Sequence, residues 1–268
     1  MYKLGLSSFS FGWKIIHDPA WSPLDLLEVA KRENVPVLQF GDNMPLDSLD
    51  ESALYVLSTG AEKAGIVLEV GMRGLFVDEV RRYLEICRMV KSTFLRIVID
   101  RGESEPDVPE TIERLRQIVP LLEKYDVVLG IENHDRFRSR VLAKIVDAIG
   151  SPYVGICLDT ANSVGAGEGV EETVRILAPY TVNLHVKDFV VRRVPSQFGF
   201  VVAGAAAGAG LVDLPWVLKQ LPRKTMSVIL ELWPPQLATV PETLALEQRW
   251  VEESLEYLRK TLAAHQPS

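Results

Sequence analysis

The chain has 268 residues, 47% hydrophobic and 24% charged, with a formal net charge of -7; this is the balance of a soluble globular protein. No block of Lys or Arg stands apart from balancing acids, so nucleic-acid binding through a basic face is not signalled. No apolar run approaches the roughly 20 residues that span a bilayer, Ser7-Ser8 comes too early for a signal-peptide core, and Cys87 and Cys157 suggest no disulfide framework, which points to a reducing cytoplasm.

From the N-terminus onward, short β-branched runs alternate with amphipathic stretches. Strands are expected at 4–7, 37–40, 67–70, 94–100, 127–133, 154–159, 182–188 and 226–232. Helices are expected near 22–33, 48–64, 77–91, 109–125, 139–149, 170–178, 213–221 and 242–263. Ser22-Pro23 and Pro109-Glu110 supply helix start signals, and Gly60 weakens the second helix without removing it. Strands alternating with helices throughout predict a parallel sheet with crossover helices. After the first strand, Ser8-Phe9-Ser10-Phe11-Gly12 lacks the Gly-rich phosphate turn of an open doubly wound sheet. The expected fold is therefore α/β, a (β/α)8 TIM barrel forming a single domain over 1–268, a length such barrels reach. The rhythm breaks at 190–210, where strand-like flanks at 190–194 and 198–202 surround Pro195-Ser196-Gln197 and glycines follow. A hairpin insertion serving as lid or pocket wall is expected there.

The later strands end in chemically unusual residues. Side chains alternate across a strand, so parity assigns each to one face. Leu129 and Ile131 share a face that excludes Glu132; Ile156 and Leu158 exclude Asp159; Leu184 and Val186 exclude His185 and Lys187; Leu230 and Leu232 exclude Glu231. If the aliphatic parity packs on the outer helices, Glu132, Asp159, His185 and Glu231 converge inside the barrel mouth. Three carboxylates buried together repel unless a cation intervenes. One divalent ion resolves this, and an oxygen-rich set with one imidazole suits Mn²⁺, Mg²⁺ or Co²⁺, with Zn²⁺ also compatible. Gln39, Glu69, Arg96, Asp100 and Asn183 share the inward parity, and a buried Glu69–Arg96 ion pair is expected. Lys187 reads either as a substrate-facing cation or as a structural partner of Asp188 or Asp159. His134, Asn162, Asn43, Trp13 and Trp233 fall on strand-end loops.

Ile131-Glu132-Asn133-His134, Leu158-Asp159-Thr160, His185-Val186-Lys187-Asp188, Gly208-Ala209-Gly210, Asp213 and Leu230-Glu231 together resemble the xylose-isomerase-like barrel family. That family includes ketose 3-epimerases, hydroxypyruvate isomerases, inosose isomerases and dehydratases, and endonuclease IV. The resemblance implies that Glu132, Asp159, His185 and Glu231 hold one divalent ion and that Glu132 and Glu231 also form the acid/base pair. Two departures matter. A family histidine three residues after the aspartate is replaced here by Asn162. The four histidines, His17, His134, His185 and His265, are too few for a three-zinc nuclease. Arg192 or Arg193 lies near the arginine of the 3-epimerases, in an uncertain register.

These features imply an enzyme acting on a small carbohydrate or sugar acid. The leading expectation is a divalent-metal-dependent isomerase or epimerase of a keto-sugar, working through a metal-stabilised enediolate. The alternative is a lyase, decarboxylase or dehydratase, acting on an oxo sugar acid or inosose with the same site. A non-catalytic sugar-binding barrel ranks third. Lys187, His134, Asn162, Gln39 and Arg192 are the expected substrate contacts. The last helix carries Leu244, Leu246, Trp250, Leu255, Leu258 and Leu262, a face that serves either barrel closure or a homodimer.

Overall fold

The computed structural model describes residues 1–222 and 225–266; the remainder of the expected domain, residues 223, 224, 267 and 268, lies outside them. In chain order the elements are β1 (Tyr2–Ser7), α1 (Gly12–His17), α2 (Pro23–Arg32), β2 (Val37–Phe40), α3 (Glu51–Ala64), β3 (Val67–Arg73) and α4 (Val77–Val90). There follow β4 (Phe94–Val98), α5 (Val108–Tyr125), β5 (Val128–Glu132), α6 (Ser139–Ile149), β6 (Val154–Asp159) and α7 (Val170–Leu177). The last elements are β7 (Thr181–Val186), β8 (Asp188–Arg193), β9 (Phe200–Ala205), α8 (Leu214–Gln220), β10 (Met226–Leu230) and α9 (Val240–Ala264).

Eight of these strands form a closed parallel barrel in the order β1-β10-β7-β6-β5-β4-β3-β2, and β8 and β9 pair separately. The chain is thus a single TIM barrel. Parity explains why it closes. Leu129, Ile131, Leu158, Leu184, Val186 and Leu230 are all buried in the apolar core, each such side chain contributing about 1.5–3 kcal/mol. Their polar neighbours on each strand are left facing inward.

Local sequence sets the helix ends. Ser22 and Asp25 form a reciprocal capping box on α2, as do Thr239 and Glu242 on α9. Helix α3 runs unbroken through Gly60 and stops at Gly65, whose φ of 68° suits a left-handed cap. Leu255, Leu258 and Leu262 are buried in the core and Trp250 packs on it, and Leu246 is buried; barrel closure therefore accounts for most of the apolar face of α9.

Several expected boundaries shift by one to three residues, and two of the changes bear on the site. The third strand continues past residue 70 to Arg73. The seventh ends at Val186, because Asp188 turns away to accept the main-chain N–H groups of Gly208, Gly210 and Val212. The hairpin is present, as β8 and β9 in antiparallel register from Asp188↔Ala205 to Arg193↔Phe200. Helix α1 was not anticipated. Its N-terminus has no side-chain cap of its own; instead Glu247 of α9 accepts from Trp13 N–H at 2.8 Å and Lys14 N–H at 3.0 Å.

Burial pushes Glu247 up to about 7 despite those two amides. Its folded-state pKa is raised, so its contribution to stability is complete below about pH 4.5 and is lost as pH rises through about 7. Urea unfolding of wild type and Glu247→Gln across that window should show a steeper loss of stability with pH in the wild type. Parallel pH profiles would contradict this assignment.

Candidate metal centre and its cavity

Strands β5 and β6 end on Glu132 and Asp159, β7 carries His185 next to its end, and Glu231 follows β10. One ligand atom from each of these buried residues lies within 4.8 Å of all the others. A register shift between Ile156 and Cys157 helps bring them level. It pairs Cys157 with Asn183 and sets Asp159 opposite His185.

Neighbouring groups fix the three carboxylates. Asn133 holds the Asp159 main chain from both sides, accepting its N–H at 2.7 Å and donating to its carbonyl at 2.9 Å. Asp159 Oδ1 accepts from the Ala161 and Asn162 N–H groups, each at 2.7 Å. Ser7 Oγ donates to Glu231 Oε1 at 3.0 Å, and Asn162 Nδ2 to Glu132 Oε1 at 2.7 Å. Arg96 Nε bonds to Glu132 Oε2, while its Nη1 reaches Asp42 at 2.7 Å. Lys187 Nζ lies 3.0 Å from Asp159 Oδ2 and 2.9 Å from Glu231 Oε2.

Electrostatics follow from this packing. Burial favours the neutral form of Glu231, but His185 and Lys187 outweigh it and hold the carboxyl well below its ordinary range. At Asp159 burial dominates over the pull of Lys187, and its pKa is raised. Burial opposes charge on His185, yet Cys157, Glu231 and Glu132 together hold its pKa well above the usual value. Lys187 is likewise raised: burial is outweighed by Asp159, Glu231 and Glu132. Cys157 lies within reach of Glu132 and His185, but burial pushes its thiol up to about 11; it therefore offers a poor ligand beside the carboxylates.

The donor set fits a divalent cation. Asp159 Oδ2 and both ring nitrogens of His185 are buried with no hydrogen-bond partner, although charged neighbours approach them closely. Buried polar atoms are seldom left so. When His185 is neutral, as it must be to ligate a metal, the carboxylates of Asp42, Glu132, Asp159 and Glu231 outnumber the cations Arg96 and Lys187 by two charges, the excess that one divalent ion cancels.

Above the quartet lies a cavity of about 260 Å³ whose walls include Phe9, Arg73, Arg96, Lys187 and Trp233. Of the expected substrate contacts, His134, Asn162 and Lys187 line it. Gln39 does not: it is buried and donates to Glu69 Oε2 at 2.9 Å. Arg192 is exposed on β8 and does not reach the cavity. The expected Glu69–Arg96 pair does not form either. Asn183, Ser227 and Gln39 all donate to Glu69, leaving Arg96 to Glu132 and Asp42. Lys187 pairs with Asp159, not Asp188. Asp100 binds Arg136 at 2.9 Å, Asn43 binds Ser8, and Trp13 donates to the Pro234 carbonyl. Sequence reasoning missed Arg73, Asn133 and Ser7 as parts of the site. Arg73 shares the parity of Glu69 and lies three residues beyond the end of the strand expected at 67–70.

The hairpin meets this site at its base. A side chain at Gly204 would collide with the carbonyl of Trp233, 2.0 Å from its Cβ, so β9 lies directly on the residue that walls the cavity.

The fold and the chain's relatives agree. The xylose isomerase-like TIM barrel model matches residues 68–261, and the protein belongs to that family. It is 35% identical over 261 residues to the 3-oxo-isoapionate decarboxylase of Pectobacterium atrosepticum, covering 95% of this chain and 94% of that one. The D-psicose 3-epimerase of Clostridium cellulolyticum H10, solved with D-tagatose, superposes with a TM-score of 0.71 at 16% identity, over 97% of this chain and 99% of that one. A xylose isomerase-like TIM barrel protein from Mycobacterium smegmatis, solved with magnesium, superposes with a TM-score of 0.71 at 13% identity, over 98% of each chain. These structures share the fold. The chain is an enzyme of this family, which sets aside the non-catalytic reading, and no helix among the described residues is long and apolar enough to cross a membrane.

Asp188 fastens the base of the hairpin. Asp188→Ala should lower stability by about 1–3 kcal/mol, the cost of leaving buried amides without an acceptor. Urea unfolding would read this as a lower midpoint at unchanged slope.

Proposed function

We propose that the protein is a divalent-metal-dependent lyase that removes carbon dioxide from a 3-oxo sugar acid. The observation that carries this reading is the set of cationic side chains, Arg73, Arg96 and Lys187, on the walls of one small cavity beside the four candidate metal ligands. A neutral ketose calls for hydrogen-bonding groups, whereas an acid calls for positive charge. The decarboxylase relative supports the same choice.

In this reading Glu132, Asp159, His185 and Glu231 hold the metal. A divalent ion there would supply Lewis acidity that favours an enediolate; the oxygen-rich ligands suit Mn²⁺, Mg²⁺ or Co²⁺. The bond from carbon to the carboxylate breaks, its electron pair enters the enediolate, carbon dioxide departs, and one proton returns to carbon. Glu132 and Glu231 both reach the cavity and are the candidates to relay that proton from solvent. Lys187, held protonated and 4.9 Å from the centroid of the Trp233 ring, acts as a fixed charge. Phe9 and Trp233 keep that wall apolar, and the β8–β9 hairpin behind Trp233 serves as its cover.

Epimerisation or isomerisation of a keto-sugar is the second reading. It is favoured by the two cavity-facing glutamates, which a two-proton exchange requires.

Two experiments test the site. Asn133→Ala, which frees the Asp159 main chain without removing a ligand, should weaken Mn²⁺ binding by about 10–100-fold in calorimetry. Unchanged affinity would separate Asn133 from the metal centre. In D2O with Mn²⁺, Mg²⁺ or Co²⁺, a panel of 3-oxo sugar acids should release carbon dioxide and gain one deuterium. Glu132→Gln should slow this by about 10²–10⁴-fold if Glu132 delivers the proton, with Glu231→Gln as the companion variant. Deuterium exchange into neutral ketoses, without carbon dioxide from any acid, would replace the lyase reading with the epimerase one.

A further inference from the structure

Each cation of the cavity has a different degree of commitment. Lys187 is shared between Asp159 and Glu231. Arg96 is shared between Glu132 and Asp42. Arg73, at the end of β3, has no ion pair among the described residues. Its Nε donates to the Asp100 carbonyl at 3.0 Å, and neither terminal nitrogen has a protein acceptor among the described residues. Asp135, the nearby carboxylate whose pKa is lowered first by its bond to His134 and more weakly by Arg73, is bonded to His134.

Topology gives this free guanidinium a direction. Arg73 follows Glu69 and Gly71 on the inward parity and pairs in register with Val98 of β4. In the closed order, β3 lies four strands from β7 and so faces it across the barrel. The candidate metal ligands occupy β5, β6, β7 and the end of β10. Arg73 therefore stands on the opposite wall of the same cavity. With Nε anchored, its two terminal nitrogens present an end-on fork, the geometry that matches a carboxylate.

We propose that Arg73 binds the substrate's carboxylate from the wall facing the metal ligands and is the residue that selects acids over neutral sugars. This rests on the lyase reading above. The ion pair is strongest with the intact acid and weakens as the carboxylate becomes neutral carbon dioxide. Arg73 therefore acts on substrate selection and orientation more than on the bond-breaking step, and its loss should raise KM more than it lowers kcat.

Binding separates the two claims. Mn²⁺-loaded wild type, Arg73→Gln and Arg73→Lys are titrated with erythronate, an unreactive sugar acid, and with erythritol, its uncharged counterpart. We expect wild type to favour erythronate by about 10–100-fold, the worth of one charge-assisted bond. Arg73→Gln should lose that preference while keeping its affinity for erythritol and Mn²⁺ and its melting temperature; Arg73→Lys should keep part of it. A folded, metal-loaded Arg73→Gln that still prefers erythronate would overturn the assignment, as would a wild type with no preference. If the preference depends on Arg73 but no 3-oxo acid releases carbon dioxide, the carboxylate site stands and the lyase reading falls. If wild type and Arg73→Gln decarboxylate with the same KM, the lyase reading stands and Arg73 has no part in selection.

Discussion

Three carboxylates crowded into a buried barrel mouth are the constraint around which the rest of this structure is arranged. Glu132, Asp159 and Glu231 are each at most 3% exposed, so water cannot screen their mutual repulsion. Two permanent cations, Arg96 and Lys187, reach in from neighbouring strands and each binds two of the surrounding carboxylates. The residual charge and the two ring nitrogens of His185, buried without a hydrogen-bond partner, are what make the site receptive to a small, doubly charged ion. A site made only of ligands would be unstable when empty; one with every ligand neutralised by side chains would have no use for a metal.

Another buried acid shows the contrast. Glu69 shares the barrel interior, and burial raises its pKa, yet three neutral donors, Ser227, Gln39 and Asn183, satisfy it. It forms a closed polar layer below the mouth. The same residue type thus plays two parts in one barrel, according to whether its partners are charged or neutral and whether they leave anything unsatisfied.

Strand parity made the barrel and the four candidate ligands legible in the sequence, because the aliphatic face of each strand is continuous and its polar face is punctuated. Partner choice was not legible. Parity places Arg96 and Glu69 on one side, but barrel stagger sets which carboxylate each guanidinium meets, and Asp42 comes from a loop that parity does not describe. Arg73 was hidden because Gly71 interrupts the β-branched run that marks a strand; at that position a Cβ would stand 2.7 Å from the Phe40 carbonyl, so the glycine belongs to the strand and permits close approach. Gln39 was misplaced for a related reason: inward parity says nothing about depth, and Gln39 lies at the level of Glu69, with which it pairs in register.

The hairpin has a consequence for how such an enzyme diversifies. Asp188, where β8 begins, accepts the amides of Gly208, Gly210 and Val212 beyond β9, so a single carboxylate ties off both ends of the excursion. Its far end, by contrast, is solvent-facing, with Phe198 94% exposed. Residues can be inserted, deleted or exchanged at that tip without transmitting strain to the barrel strands. The knot at the base thus uncouples the part of the chain that meets the outside from the part that must hold its charges in place.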